Sequence, residues 1–251
     1  MSNAKEYLDH SFTVCSHEMD LWGFLKPASI LNICQEVAYM HSSLYGFGFD
    51  SLVERGLAWV LSRVKIEIDR LPVWREKIVV RTWHKGESGI FSLRDYIFYD
   101  QDNQPIIRVT TSWIIINIAS RRLQRPSRIF GADEPFKLLL YTEDAIEEPA
   151  EKIELRGQSM PLSDHYVSYS DLDVNQHVNN AKYLEWVCDR SPQQMQKNRY
   201  LKGLNINFNH EATFGQLVTM SAATPACDIF FVEGHVDSRS IFTAELLYGD
   251  R

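Results

Sequence analysis

A chain of 251 residues with 45% hydrophobic, 24% charged and 12% aromatic residues can bury its own core and is too apolar for disorder. A net charge of −7 leaves few cations to neutralise phosphates, which argues against nucleic acid as the main partner. Cys15, Cys34, Cys188 and Cys227 show neither C-x-x-C nor zinc spacing. With no secretory signal and no apolar run approaching ~20 residues, hence no membrane span, they read as reduced thiols of a cytoplasmic protein.

From Pro27 the pattern is helical: a proline suits the first turn, and Ile30, Ile33, Val37 and Met40 recur at steps of three and four. "YGFGFD" reads as a glycine-rich turn. "LAWVLSRVKIEID" alternates as a strand does, and "EKIVVRTW", "IFSLRDYIFYD" and "IIRVTTSWIIINIA" read as further strands separated by the turn chemistry of "KGESG" and "DQDNQP". Residues 131–158 are acidic, carry two prolines between residues 131 and 150, fit no period and read as a connector. Then the order begins again. A short strand at residues 165–169 precedes a helix over residues 180–197 and strands at "LKGLNINFNHE", "QLVTMSAAT", "CDIFFVEGHV" and "SIFTAELLY".

This long repeat predicts two copies of one α+β unit, a helix followed by an antiparallel sheet, over residues 1–130 and 159–251. Shifted by 153 positions, Asp20 falls on Asp173, Ala28 on Ala181 and Leu31 on Leu184; shifted by 140, Ile66, Ile68, Trp74 and Ile78 fall on Ile206, Phe208, Phe214 and Val218. The differences are more informative. Asn175 faces Trp22, His177 faces Phe24 and Glu211 faces Leu71. A unit that folds with Trp, Phe and Leu has no structural need of an amide, an imidazole and a carboxylate, so the second copy carries the candidate chemistry.

In "SDLDVNQHVNNAKYLEWVCD", Asp173, Asn175 and His177 alternate with Leu172, Val174, Gln176 and Val178. In an extended segment they would share a face. Asn179 or Asn180 suits the N-cap of the helix that follows, whose free N–H groups favour developing negative charge. Glu211 ends the strand "LNINFNHE", and a sheet wrapped around the helix would bring it to the same place. An amide donor, an imidazole and a carboxylate suit acyl transfer to water. Nothing calls for a metal or cofactor: "HEATF" lacks the second histidine of a zinc protease, "GESG" is not a serine-hydrolase elbow, and "GFGF" lacks the third glycine of a dinucleotide site.

"DLDVNQHVNNAKYLEW" resembles the signature of the acyl-acyl carrier protein (ACP) thioesterases of plants and bacteria, and "ASILNICQEVA", "LAWVLSRVKIEIDRLPVWREKIVVRTW" and "SWIIINIASRRL" resemble that family in order and spacing. The resemblance implies two tandem hotdog units and hydrolysis of the thioester between a fatty acyl chain and ACP, without a cofactor. Family residues carry over as Asp173, Asn175, His177 and Glu211. Plant members often have a cysteine beside that glutamate; here it is Ala212, which removes any thiol nucleophile. Water, activated by Glu211 or His177, is then the nucleophile, with Asn175 on the carbonyl and Asp173 fixing the loop; a covalent anhydride on Glu211 competes. The first copy, with Trp22, Phe24, Ile30 and Met40, is expected to line the acyl channel. Arg121, Arg122, Arg125 and Arg128 are expected to dock the acidic carrier, with Lys197, Arg199 and Lys202 as a second patch. An acyl-coenzyme A thioesterase and a non-catalytic acyl-binding protein are the alternatives, as monomer or homodimer.

Overall fold

The structure, a computed structural model, describes residues 6–130, 141, 143–154, 157–192 and 199–250. The chain divides into two compact units, Met1–Val64 with Asp69–Ala150, and Lys65–Ile68 with Glu151–Arg251.

In the first unit, β1 (Tyr7–Thr13) leads to α1 (Pro27–Ser43) and a short α2 (Phe49–Glu54). These are followed by β2 (Leu57–Ile68), β3 (Lys77–Ser88), β4 (Phe91–Tyr99), β5 (Pro105–Asn117), β6 (Leu123–Gln124) and α3 (Pro126–Phe130). The strands stand in the order β1-β3-β4-β5-β2, with β6 beside β5; β1 with β3, β3 with β4 and β4 with β5 are antiparallel. α1 begins on Pro27 at its first turn and buries Ile30, Leu31, Ile33, Cys34, Val37 and Ala38 along one side, packing against β3 and β1.

The second unit repeats this plan. β7 (Met160–Pro161) and β8 (His165–Tyr166) precede α4 (Asn180–Arg190), and the sheet follows as β9 (Arg199–Phe208), β10 (Leu217–Ala226), β11 (Ile229–Val236) and β12 (Arg239–Asp250). Its order is β9-β12-β11-β10, with β7 and β8 pairing separate stretches of β10. Tyr183 of α4 packs on Phe208 of β9 and Phe242 of β12. Each unit is thus a helix laid on an antiparallel sheet, the α+β hotdog arrangement. Among the described residues no helix is long and apolar enough to cross a membrane.

The helix expected to run to Lys197 stops at Arg190, because Pro192 holds the preceding Ser191 at ψ 135°, outside the helical region; residues 193–198 lie outside the described ones. Besides the short β6, α3 and β7, two larger elements went unread: α2, hidden behind the glycines of "YGFGFD", and β1, whose seven residues pair from Tyr7↔Trp83 to Thr13↔Lys77. Part of the stretch read as a connector, residues 131–158, packs on the first unit; its residues 131–140, 142, 155 and 156 lie outside the described ones. Trp83, Ile97 and Ala145 form one buried cluster flanked by Tyr7, Tyr99 and Tyr141. The Ala145 N–H donates to Asp95 at 2.8 Å, and Lys85 donates to the Ile146 carbonyl. This cover explains why β4 is buried from Ser92 to Phe98 on both faces and why the covering segment, shaped to a strand surface, has no period of its own.

The first unit's interior is not uniformly apolar. On the face of β3 and β4 turned toward α1, Arg94 Nη1 donates to His41 Nδ1 at 2.9 Å and to Thr82 Oγ1 at 3.2 Å, and His84 Nε2 lies 3.0 Å from Ser92 Oγ. A guanidinium has only donors, so His41 Nδ1 is unprotonated and that ring is neutral. Burial, then the positive charge of Arg94, lower the His84 pKa to about 3. Because the native state favours neutral His84, its contribution to stability is complete above its unfolded pKa of about 6.5 and is lost as pH falls toward 3. Urea unfolding at pH 4.5 should therefore show a loss of about 2 to 3 kcal/mol, relative to pH 7, attributable to this imidazole. His84→Gln should unfold with a correspondingly smaller drop between the two pH values.

Candidate active site

One tight turn sits before the main helix of each unit. In the second unit the Asp173 N–H donates to the His177 carbonyl at 2.9 Å, and the Gln176 N–H returns to the Asp173 carbonyl at 3.0 Å. The Asp173 carboxylate accepts the Asn175 N–H at 2.8 Å. In the first unit the same bonds run from Asp20 to Phe24 (2.8 Å), from Gly23 back to Asp20 (3.2 Å) and from Trp22 to the Asp20 carboxylate (2.9 Å). The position before His177 is left-handed in both, Gly23 at φ +83° and Gln176 at φ +63°. A glycine adopts this freely and a glutamine does so at a cost of roughly 1–2 kcal/mol, so the second unit tolerates strain at the candidate site.

The turn also corrects the reason given for clustering. Residues 173–177 are not extended, and alternation does not align their side chains; the carboxylate of Asp173 is spent on the backbone of its own loop. What brings the groups together is the strand that follows. The Val178 N–H donates to the Ala212 carbonyl at 2.9 Å, and His177 pairs with Thr213 across an isolated bridge. The first unit makes the same clamp from Leu25 to Pro72 at 2.9 Å, with Phe24 bridging Val73. Glu211, one residue before the clamp, is thereby held with its Oε2 3.5 Å from His177 Nε2, both side chains about 30% exposed. In the first unit the corresponding residues are Leu71 and Phe24.

The helix mouth closes the site. Asn179 is the N-cap of α4, its side chain accepting the Ala181 N–H at 2.9 Å, and its own N–H donates to the Asp171 carbonyl at 2.8 Å. Asn175 lies exposed on the turn. The structure therefore gathers Asp173, Asn175, His177 and Glu211 on one turn and one strand end at the start of a helix. An imidazole beside a carboxylate can take and return a proton, and an exposed amide with nearby helix N–H groups can face a carbonyl oxygen.

Three residues of this region escaped the sequence reading, although the same 153-position shift carries their signal. His165 replaces Phe12, Asp171 replaces Glu18 and Tyr183 replaces Ile30. Asp171 Oδ2 takes the Ser168 N–H at 2.8 Å and lies 3.0 Å from His165 Nε2, whose ring lies on Trp186 at 4.1 Å. This ties β8, the one-turn 3-10 helix at Tyr169–Asp171 and α4 together behind the turn. In the first unit the Glu18 carboxylate takes the Cys15 N–H at 2.7 Å.

The proposed acyl-channel residues are dispersed. Trp22 is exposed at the tip of the first turn, Phe24 and Met40 are half-buried, and Ile30 is fully buried in α1. Ile30 and Met40 are separated by about 15 Å of helix at 1.5 Å per residue. Arg121, Arg122, Arg125 and Arg128 are all exposed on the β5–β6 turn and the start of α3. In the second basic patch, Arg199 donates to the Cys227 carbonyl and faces Asp250 at 3.6 Å, Lys202 is exposed and Lys197 lies outside the described residues.

Residues 5–128 match the acyl-ACP thioesterase N-terminal domain and residues 157–242 the acyl-ACP thioesterase C-terminal domain. A chloroplastic palmitoyl-acyl carrier protein thioesterase of Arabidopsis thaliana is 28% identical over 232 residues, 87% of this chain and 55% of its own length. A chloroplastic oleoyl-acyl carrier protein thioesterase 2 of the same plant is 30% identical over 221 residues, 82% of this chain and 60% of its own. The chain thus spans a little over half the length of these curated relatives. Among solved structures, an acyl-ACP thioesterase from Bacteroides thetaiotaomicron is 25% identical with a TM-score of 0.89, covering 99% of this chain and 100% of that one. The 12:0-ACP thioesterase from Umbellularia californica shares the fold at 21% identity, with a TM-score of 0.85 over 98% of both chains. Two domain families matched in tandem, over two units of one fold, place this chain in the acyl-ACP thioesterase family.

Proposed function

We propose that the chain hydrolyses the thioester of a fatty acyl-ACP, releasing the free acid, and that the second unit is its catalytic half. The observation that carries this reading is the His177–Glu211 pair at 3.5 Å, beside the Asn175 turn and present in one unit only. Water attacks the thioester carbonyl while His177 or Glu211 takes its proton. Asn175 faces the oxyanion, and the same proton serves the departing thiolate of the phosphopantetheine arm. Asp173 acts on the loop backbone. The first unit, residues 1–130, takes the acyl tail, and residues 131–158 join the halves. The names of the relatives support ACP as the carrier, and the absence of any disulfide among the four cysteines supports a reducing, cytoplasmic setting.

Hydrolysis across ACP thioesters of about eight to eighteen carbons tests the reaction and its length preference; a clear preference for palmitoyl-coenzyme A over palmitoyl-ACP would overturn the choice of carrier. Asn175→Ala and Glu211→Ala should each lower kcat at least ~100-fold, and wild-type rates in both would remove them from the site. Tight acyl-chain binding without turnover in the parent chain would mark it as a binding protein.

Asp173→Ala should behave differently. Loss of one charge-assisted bond to backbone in a half-exposed loop should cost about 1 kcal/mol of stability, with a kcat loss that reflects a loosened turn. The matched Asp20→Ala, which loses two such bonds, should cost more stability and leave kcat near its starting value, which urea unfolding and steady-state rates together would show.

Paired charge reversal at Arg122 and Arg125 should raise KM for acyl-ACP several-fold, and less so at high salt. Turnover of a short thioester without the carrier should not change; an unchanged KM would assign docking to another face.

A further inference from the structure

Tyr183 lies one turn into α4, four residues beyond the N-cap Asn179, and is 2% exposed. Its ring is fixed by Trp186 at 5.0 Å, Phe242 at 5.2 Å and Phe208 at 5.7 Å. Despite this burial no acceptor for its hydroxyl proton is found among the described residues; only the Ala212 backbone N–H reaches the phenol oxygen. At the matching position of the first unit stands Ile30, fully buried in α1, so the helix–sheet packing is satisfied by an aliphatic side chain and does not require a hydroxyl. A buried, unpartnered O–H is unfavourable, and its appearance only in the unit that carries His177 and Glu211 needs a reason.

The surroundings of the phenol supply one. Burial first, then the carboxylates of Glu211, Asp173 and Asp171, push its ionisation far up, while the backbone of Ala212 acts in the opposite sense. The hydroxyl is therefore neutral at every physiological pH and available only as a neutral group with one proton to donate. Ala212 is the residue whose carbonyl clamps Val178 and whose predecessor is Glu211. The phenol thus lies on the helix side, against the backbone of the residue that follows Glu211.

We propose that Tyr183 is a positioning residue of the hydrolytic site, its O–H donating to the Glu211 carboxylate when that side chain turns inward to act as base. The inference rests on the hydrolytic reading above and adds a buried fifth member to the site. A hydrogen bond to the ionised carboxylate favours the charged form, so Tyr183 keeps Glu211 competent as a base at lower pH. His177 faces Glu211 at 3.5 Å, and Asp173 and Asp171 are the further carboxylates about the phenol, so an acid limb in the rate profile is read as a property of this group of residues and not of one of them.

The test is kcat and kcat/KM against pH for the parent enzyme, Tyr183→Phe and a protein carrying 3-fluorotyrosine at position 183, on one ACP thioester. Tyr183→Phe should lower kcat about tenfold with little change in KM and move the acid limb to higher pH. Fluorotyrosine, a stronger donor of the same shape, should move that limb to lower pH while holding kcat near the parent value, and an unmoved limb in it would overturn the proposal should the Phe variant fold poorly. Parent-like kcat and acid limb in a folded Tyr183→Phe enzyme would overturn the proposal, as would a loss of kcat in both variants with no movement of the limb. A parent chain that hydrolyses no thioester would instead overturn the hydrolytic reading itself.

Discussion

The constraint on which both units depend is an aspartate that spends its carboxylate on its own loop. Asp20 and Asp173 each take a backbone N–H two residues ahead, at 2.9 and 2.8 Å, and Asp20 takes that of Phe24 as well. This closes a turn whose exit strand is clamped, through Leu25 or Val178, to the carbonyl of Pro72 or Ala212. Local side-chain bonds of this kind compete with regular structure and win where the chain must reverse within a few residues. The consequence is positional. Whatever side chain follows the turn is delivered against whatever precedes the clamp, and the helix begins directly afterwards. In the first unit this delivers Phe24 beside Leu71; in the second it delivers His177 beside Glu211.

The two units therefore share a frame and differ in what the frame displays, but the contrast is not one of polar against apolar throughout. The first unit buries Arg94 with neutral acceptors, His41 and Thr82. Burial lowers the Arg94 pKa, so the native state holds this cation at a cost that hydrogen bonds only partly offset. The polar groups of the first unit sit between helix and sheet, where they specify packing. The second unit also displays His177 and Glu211 at the turn, half-exposed, where solvent can reach them.

How much of this was legible follows from the physics of each feature. The repeat, α1 and the meander, and the contrast of Asn175, His177 and Glu211 with Trp22, Phe24 and Leu71, were readable because periodicity and a fixed offset are properties of sequence alone. The left-handed Gln176 was not, since nothing in a glutamine announces a positive φ; only its alignment with Gly23 carries that signal. β1 and α2 were missed because both are short and draw their stability from neighbours, β1 from its ladder on β3 and α2 from Leu52 packed with Phe47, Leu57 and Ile115. The segment over Trp83 and Ile97 looked structureless because its order comes from the surface it covers. Tyr183 was overlooked for the opposite reason: its place on the apolar stripe of α4 makes it look like core, and only the comparison with Ile30 shows its hydroxyl to be surplus to packing.

That hydroxyl completes a division of labour within the second unit. The exposed side of the site is a strained turn whose peptide groups are held by Asp173, and the buried side is a helix whose first turn is fixed by Asn179 and by the Asp171–His165 pair. Between them His177 and Glu211 lie at an intermediate exposure, where water still reaches the pair and screens its mutual attraction. A base and its partner must both be able to change charge during turnover, which a fully desolvated pair would resist and a fully solvated pair would not couple. The turn sets this depth. It places the histidine at the rim of the sheet, one residue from a backbone clamp that cannot shift without unpairing Val178 from Ala212, so the His177–Glu211 pair is held at the boundary between solvent and core by main-chain hydrogen bonds that the first unit makes equally well.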